Sequence, residues 1–316
     1  MHPRLLDFSI NVKGMSGFGL ESYFTMAAVG FIIATLLIRR WARAKDIDPR
    51  LMTDFVIWMA LFGWVGAKLL HVIADGHFTD YVNACVHPEL VNWPVDRIEC
   101  RHLGGVWDAA AKLCHPKEAN CWAWIDITSG GFAFYGGFIA AALYSIYFIR
   151  KHKLPAGKLV DMAGWVLILG VAWGRIGCTL AGCCFGARTD SCLGVVFPPG
   201  SAASRFQFHS GWLSSYRLES LPVYFTQLYS AAACLAIAAF SYLWVRPRKR
   251  FDGQVFCTAA GLYAIFRFFI EFIRNDERGE AFGLSTSQLI ALVFLAALVY
   301  LWRVFKRSAA RAAAST

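Results

Sequence analysis

The sequence predicts an all-α, polytopic integral membrane protein with seven transmembrane helices. Its N-terminus lies outside, its C-terminus is cytoplasmic, and it carries two sizeable extracytoplasmic loops. Three observations predict this. Of 316 residues, 57% are hydrophobic and only 16% charged, with a mean hydropathy of +0.47, more apolar than an ordinary soluble domain of this length. Seven apolar stretches approach the roughly 20 residues that a helix needs to cross a bilayer core. The basic residues fall in short runs between those stretches, as in membrane proteins that face a cytoplasm.

In order, the expected spans are Gly17–Ile38, Phe55–Ala74, Gly131–Ile149, Lys158–Gly182, Leu221–Val245, Gln254–Arg274 and Ser285–Phe305. "RRWARAK" follows the first, "RKHK" the third, "RPRKR" the fifth and "KRSAAR" the seventh. If every stretch crosses, all four runs share one side, and the positive-inside rule makes that side cytoplasmic. The net charge of +10 therefore belongs to membrane topology and does not point to nucleic acid. No basic run with a short apolar core and small-residue cleavage site opens the sequence, so no cleavable signal peptide is expected. Residues 1–316 are read as a single membrane domain.

The outer side carries loops 75–130, 183–220 and 275–284. Cys85, Cys100, Cys114 and Cys121 lie in the first, and Cys183, Cys184 and Cys192 in the second. An oxidising compartment permits disulfides, which are the leading expectation for these seven. Four cysteines allow three pairings, and sequence does not choose among them. A metal or haem site using His87, His102 or His115 ranks below, because neither CxxCH nor paired CxxC occurs. No cofactor and no metal are expected. Cys234 and Cys257, within spans, read as small buried residues.

Charges inside spans are the informative residues, since each costs about 2.5–3.5 kcal/mol on insertion scales and persists mainly against protein or water. Lys68 lies in the second span, Arg175 near the outer end of the fourth, and Arg267 and Glu271 in the sixth. Tyr263, Arg267 and Glu271 are spaced by four, so one helix stripe carries all three. An Arg267–Glu271 pair alone could simply offset its own burial. Arg175 at similar depth on another helix adds a second guanidinium, and two such forks match a phosphate, in a bilayer that of a lipid headgroup. Around Arg175 the stretch "AWGRIGCTLAGCCFG" offers Gly170, Gly174 and Gly177 for close helix packing. Gly182 and Gly186 can end the helix and turn the chain.

These residues resemble a known family, the bacterial prolipoprotein diacylglyceryl transferases. "MHPRLLDFSI" is similar to the family's short extracytoplasmic start, and "GGFAFYGGFIA" to the opening of its third span. "GRIGCTLAGCCFG" resembles its signature, "TQLYS" its S-Q-L-Y-E segment, and "GLYAIFRFFIEFIRND" followed by "GLSTSQLIAL" its last two spans. The resemblance implies transfer of diacylglycerol from phosphatidylglycerol to the lipobox cysteine of a preprolipoprotein in the bacterial cytoplasmic (inner) membrane. A thioether is formed and glycerol phosphate leaves. It also implies catalytic roles for Arg175, Tyr263, Arg267, Glu271 and Tyr135. Substrate binding falls to Arg175, Arg267, Gly186, Cys178, Gln227 and Tyr229. Several positions depart from the family's pattern. Tyr135 stands where the family has histidine, Cys178 where it has asparagine, and Cys183 where it has an acidic residue. Phe18, Lys68 and Ser230 replace a tyrosine, an arginine and a glutamate. Two other readings stay open: a non-catalytic phospholipid-binding protein, and a thiol-redox or metal-handling membrane protein using Cys178, Cys183, Cys184 and Cys192. The thiols after Arg175 are either a disulfide tie for the following loop or replacements for lost polar groups.

Overall fold

A computed structural model describes residues 4–8, 18–74, 78–93, 97, 100, 104–123, 133–274, 280–281 and 283–314. It is mostly helical, with short two-stranded antiparallel pairs as its only sheets among those residues. Among the described residues, six helices are long and apolar enough to cross a membrane: Ser22–Arg43, Pro49–Ile73, Ala156–Ala181, Thr226–Arg248, Gln254–Ile273 and Thr286–Arg311. The remaining expected span, Gly131–Ile149, is helical over Phe134–Lys151. The chain divides into two compact units, residues 1–49 with 155–316, and residues 50–154.

In the first unit, helix α1 (Ser22–Arg43) begins later than its apolar stretch, because Phe18–Glu21 pair as a strand with Arg4–Phe8. Helix α5 (Ala156–Ala181) is the central element, packed on α1, on α7 (Thr226–Phe240) and on α8 (Gln254–Ile270). Two core clusters line its length. Met162, Trp165 and Val166 meet Val245 and Val255, and Ile168 and Ala172 meet Cys234, Ala238 and Ala259. Near the expected cytoplasmic end, buried Asp161 accepts from the Val255 N–H at 2.8 Å and from Lys249 at 2.7 Å, so it caps α8. Helix α7 starts at Thr226, five residues later than its apolar stretch, since Val223–Tyr224 pair with Gly194–Val195. It continues through a π turn, Ser241–Val245, just before Pro247, whose missing N–H interrupts regular helix bonding. Helix α9 is Thr286–Ala314. Short helix α6 (Ala202–His209) lies in the loop between α5 and α7, capped by the Ser201 side chain.

In the second unit, α2 (Pro49–Ala74) starts on a proline, which suits the first helical position. It crosses α4 (Phe134–Lys151) closely enough that a Cβ on Gly66 would stand 2.5 Å from the Gly136 carbonyl. Phe55, Phe62, Tyr144 and Phe148 stack beside that crossing. The loop between them holds α3 (Phe78–Val86) and a hairpin, Val106–Asp108 with Leu113–His115. N–H groups of Ala111 and Ala110 hold the Asp108 carboxyl below its usual range and shape the turn.

Two disulfides staple this loop, Cys85–Cys121 outside and Cys100–Cys114 nested within it. Closing the shorter one constrains the unfolded chain by on the order of 3 kcal/mol. With all four sulfurs paired, a cysteine-ligated metal or haem site in this loop has no ligands. His115 bonds the Val91 carbonyl at 2.9 Å and His87 the Glu89 carboxylate at 3.1 Å, while His102 lies outside the described residues. Lys68 is buried, its Nζ 3.0 Å from the Tyr81 hydroxyl. It lines an apolar cavity of about 710 Å³ with Trp64, Leu69 and Val82.

Candidate functional site

The C-terminal ends of α5 and α8 and the N-terminal end of α7 bring most of the residues singled out above into one cluster. The 263–267–271 stripe on α8 and its 3₁₀ extension Glu271–Ile273 is extended by Arg274. Glu271, with a side chain 6% exposed, is the hub. Its Oε2 accepts from Arg267 Nη1 and stands 3.8 Å from Arg274 Nε, and its Oε1 accepts from the Ser285 hydroxyl at 3.0 Å. The other guanidinium nitrogen of Arg267 donates to Ser287 at 3.2 Å. Ser285 is placed by a capping box with Gln288 at the start of α9. The Ser285 N–H donates to Gln288 Oε1 at 2.9 Å, and the Gln288 N–H to Ser285 Oγ at 3.2 Å.

Arg274 is the residue that the sequence reading missed. Its side chain is only 3% exposed, the most buried guanidinium of the ion-paired arginines. Its spacing of three from Glu271 and seven from Arg267 was the available signal. Ser285 and Ser287 were missed as well, and the S-x-x-Q pattern at 285–288 announces their place.

Arg175 reaches this cluster from α5. Its strongest electrostatic neighbours are Cys178, Cys184, Tyr263 and Cys234. The Tyr263 phenol in turn lies within Coulombic reach of Arg175, Arg267 and Arg274. Tyr23 of α1 joins from the other side, close to Cys178, Arg175, Cys183 and Cys184. Three arginines against one carboxylate leave the cluster with an excess of two positive charges before the thiols are counted.

The chain after α5 is folded back onto this cluster. Gly182 ends the helix in the left-handed conformation (φ 73°), with its N–H bonded to the Cys178 carbonyl at 2.9 Å. Cys184 is also left-handed (φ 60°), which turns residues 183–186 across the helix end. Gln227 Nε2 holds the Cys183 carbonyl at 2.8 Å, and Thr226 Oγ1 the Cys184 carbonyl at 2.8 Å. Tyr229 donates to the Leu193 carbonyl at 3.3 Å. Gly186 then threads between two segments. Its N–H bonds the Tyr224 carbonyl at 2.9 Å and the next N–H, of Ala187, bonds the Ile273 carbonyl at 2.9 Å. A Cβ there would stand 2.5 Å from the Ile273 carbonyl oxygen, so only glycine fits. Of the glycines proposed for close packing, a Cβ on Gly177 would stand 3.2 Å from the Tyr23 backbone of α1, whereas Gly170 and Gly174 face open space. The close crossing of α1 on α5 is instead at Gly30, against Trp173.

Cys183, Cys184 and Cys192 are free thiols, with Cys192 exposed. The backbone bonds from Thr226 and Gln227 already tie the loop that a disulfide was expected to tie. Cys178, Cys183 and Cys184 instead bring their sulfurs within 4.8 Å of one another. Hydrogen bonds with Cys178 and Cys183, helped by the Arg175 and Arg274 charges, draw the Cys184 thiol far below the ordinary thiol range. Bonds with Cys178 and Cys184 push Cys183 far above it.

A family model described as prolipoprotein diacylglyceryl transferase matches residues 12–304. The chain belongs to the prolipoprotein diacylglyceryl transferase family. It is 30% identical over 291 residues to a phosphatidylglycerol–prolipoprotein diacylglyceryl transferase 2 of Clostridium perfringens, covering 92% of this chain and 93% of that one. It is 33% identical over 295 residues to a phosphatidylglycerol–prolipoprotein diacylglyceryl transferase of Neisseria meningitidis serogroup B, covering 90% and 88%. Against that of Clostridium tetani the figures are 26% over 290 residues, with 91% and 94% covered. Within this family member, Arg175, Tyr263, Arg267, Glu271, Gly186, Cys178 and Gln227 fall in the first unit around one cluster, with Tyr229 of α7 bonded to the adjoining loop. Tyr135 belongs to the second unit, at the start of α4, with half of its surface exposed.

Proposed function

We propose that this chain transfers the diacylglyceryl group of phosphatidylglycerol to the lipobox cysteine thiol of a prolipoprotein, as the family does. The observation that carries the reading is the excess positive charge of three guanidiniums at the outer ends of α5 and α8. Burying such charge without a matching anion is unfavourable, and a lipid phosphate diester supplies one. In this reading Arg175 and Arg267 grip the phosphate, and Arg274 adds its charge from behind. Glu271 fixes the fork of Arg267 without neutralising the cluster, and Tyr263 spaces the guanidiniums. Gripping the phosphate stabilises the charge that grows on glycerol phosphate as it leaves, which is where catalytic electrostatics has most effect. Gln227, Thr226 and Gly186 hold the acceptor-side turn, and Tyr229 of α7 holds the adjoining loop through the Leu193 carbonyl.

We further infer seven spans, with the helix Phe134–Lys151 as the third. The N-terminus and loops 75–130 and 183–220 are outside, and the C-terminus is in the cytoplasm of a bacterial cell, with the chain in the cytoplasmic (inner) membrane. The basic runs after alternate spans and the two disulfides of loop 75–130 support that orientation. The test is complementation of a strain depleted of its own transferase. Labelled diacylglycerol transfer from phosphatidylglycerol to a lipobox peptide is the direct readout. No transfer by the purified chain in phosphatidylglycerol-containing vesicles, with its thiols reduced and divalent metal supplied, refutes the reading.

A further inference from the structure

The acceptor half of the reaction poses a problem that the phosphate grip does not solve. A cysteine thiol must lose its proton to become a nucleophile, since the thiolate is the reactive form. The carboxylate at the site, Glu271, is taken up by Arg267, Ser285 and the nearby Arg274. Arginine does not act as a base, and the phenols near Arg175 are poor ones near neutral pH, with a reference value of about 10. What the cluster has instead is sulfur.

We infer that Cys178, Cys183 and Cys184 form a three-thiolate site for a zinc ion, whose fourth position receives the acceptor cysteine. The catalytic half of this inference rests on the transferase reading above. Four sulfurs around zinc at about 2.3 Å stand roughly 3.8 Å apart. The three here already converge within 4.8 Å, so small side-chain rotations close the site. Their backbone is held before any ion arrives. Gly182 and Cys183 both bond the Cys178 carbonyl, at 2.9 and 3.2 Å, and Gln227 and Thr226 hold the carbonyls of Cys183 and Cys184, each at 2.8 Å. Such outer contacts orient metal ligands. Gln227 is fully buried, yet its Oε1 has no partner among the described residues, so the turn contains an acceptor still awaiting a donor.

Charge and ligand softness agree. Zinc with three thiolates carries a net charge of minus one, and Arg175 and Arg274 lie close to Cys184 to balance it. Three sulfur ligands with neither imidazole nor carboxylate select a thiophilic ion over magnesium or calcium. Three protein ligands with one open position is the arrangement of a catalytic rather than a purely structural zinc site.

In the step, the acceptor thiol binds the ion and releases its proton to water, since a coordinated thiol is deprotonated. Its sulfur attacks the glyceryl carbon that bears the phosphate ester. The S–C bond forms, the C–O bond breaks, and the electron pair leaves on glycerol phosphate beside the arginines. The thioether product is a weak ligand and departs.

The test uses the full-length chain in detergent, reduced and stripped of metal under nitrogen. Titration with Zn²⁺ against a chromophoric chelator should give one tightly held ion per chain. Cys178→Ser, Cys183→Ser and Cys184→Ser should each weaken it at least about tenfold, and exposed Cys192→Ser should leave it unchanged. A zinc-edge absorption spectrum of the unaltered chain, which depends on no variant folding, should show three sulfurs, and four once a lipobox peptide is added. Equal affinity in all three variants, or a zinc edge dominated by nitrogen and oxygen, overturns the site. So does a disulfide joining two of these cysteines in chain isolated with its thiols blocked. The two readings fail separately. Transfer that persists undiminished after zinc is stripped sinks this inference and leaves the transferase reading standing. Zinc held by three sulfurs without any transfer sinks the transferase reading and leaves only the metal site.

Discussion

Replacing Glu271 by glutamine keeps its shape and removes its charge, and that change should expose the electrostatic logic of the cluster. The carboxylate is 6% exposed and faces two guanidiniums that are 16% and 3% exposed. Removing one partner of a buried ion pair costs about 3–5 kcal/mol, because the remaining charge stays buried. Ser287 still accepts from Arg267, which places the loss toward the low end. At roughly 2 °C per kcal/mol for a chain of this size, a loss near 3–4 kcal/mol should lower the midpoint of thermal unfolding by about 6–8 °C. A phosphate bound between the arginines restores the missing anion, and ligand that binds only the folded state raises stability by mass action. Phosphatidylglycerol should therefore rescue Glu271→Gln by more degrees than it adds to the unaltered chain, and diacylglycerol, which lacks the phosphate, should not. The twelve tryptophans give an intrinsic fluorescence signal for unfolding in neutral detergent. A variant that unfolds at the original temperature, with the lipid shifting both chains alike, would refute the argument that the guanidiniums form an anion site completed by lipid.

Arg175→Lys and Arg267→Lys each retain charge but lose the two-pronged fork, so phosphatidylglycerol binding and transfer should fall about tenfold or more in vesicle assays. Gly186→Ala forces a Cβ against the Ile273 carbonyl and should destabilise the chain by about 1–3 kcal/mol, read as a lower unfolding midpoint with reduced transfer. In denatured but unreduced protein, a thiol reagent should label Cys178, Cys183, Cys184, Cys192, Cys234 and Cys257. Cys85, Cys100, Cys114 and Cys121 should label only after reduction. Reporter fusions at Lys45, Lys153 and Arg248 should register cytoplasm, and those at Asn92 and Arg205 the outside; a cytoplasmic signal at Asn92 breaks the seven-span scheme.

Much of this was legible in the sequence because the relevant forces are local. Apolar length marks the spans, and a spacing of four puts Tyr263, Arg267 and Glu271 on one face whatever surrounds them. Helix starts were less legible. Ser22 and Thr226 each begin their helix five residues inside the apolar stretch, because Phe18–Glu21 and Val223–Tyr224 pair with segments that hydropathy does not reveal. Arg274 went unremarked because its burial comes from chain segments distant in sequence. The Gly186 segment meets Ile273 and Arg274 across nearly ninety residues. The thiols after Arg175 were misread for a related reason. Compartment chemistry favours disulfides among outer cysteines, and nothing in the spacing C-x₄-C-C says that Thr226 and Gln227 will hold that turn without one.

The thiols and the arginines are best understood together. Counting Arg175, Arg267 and Arg274 against Glu271 leaves an excess of two positive charges in a region with little water. A lipid phosphate diester removes one of them. The second is left for the acceptor side, where the family's asparagine and acidic residue are replaced by Cys178 and Cys183. Neutral thiols would leave that charge unmatched, whereas three thiolates around a zinc ion supply a single negative charge at the place where Arg175 and Arg274 approach Cys184. The cluster is then neutral when lipid and metal are both bound, before the acceptor arrives. An acceptor thiolate entering the fourth position brings the next negative charge, and it is discharged as the S–C bond forms. Replacing Cys183 by aspartate, the kind of side chain the family carries there, should therefore preserve the charge balance but trade a sulfur ligand for oxygen. Phosphatidylglycerol binding should survive that change while zinc affinity falls about tenfold or more. Equal losses of both would mean that the cysteine serves the lipid rather than the metal.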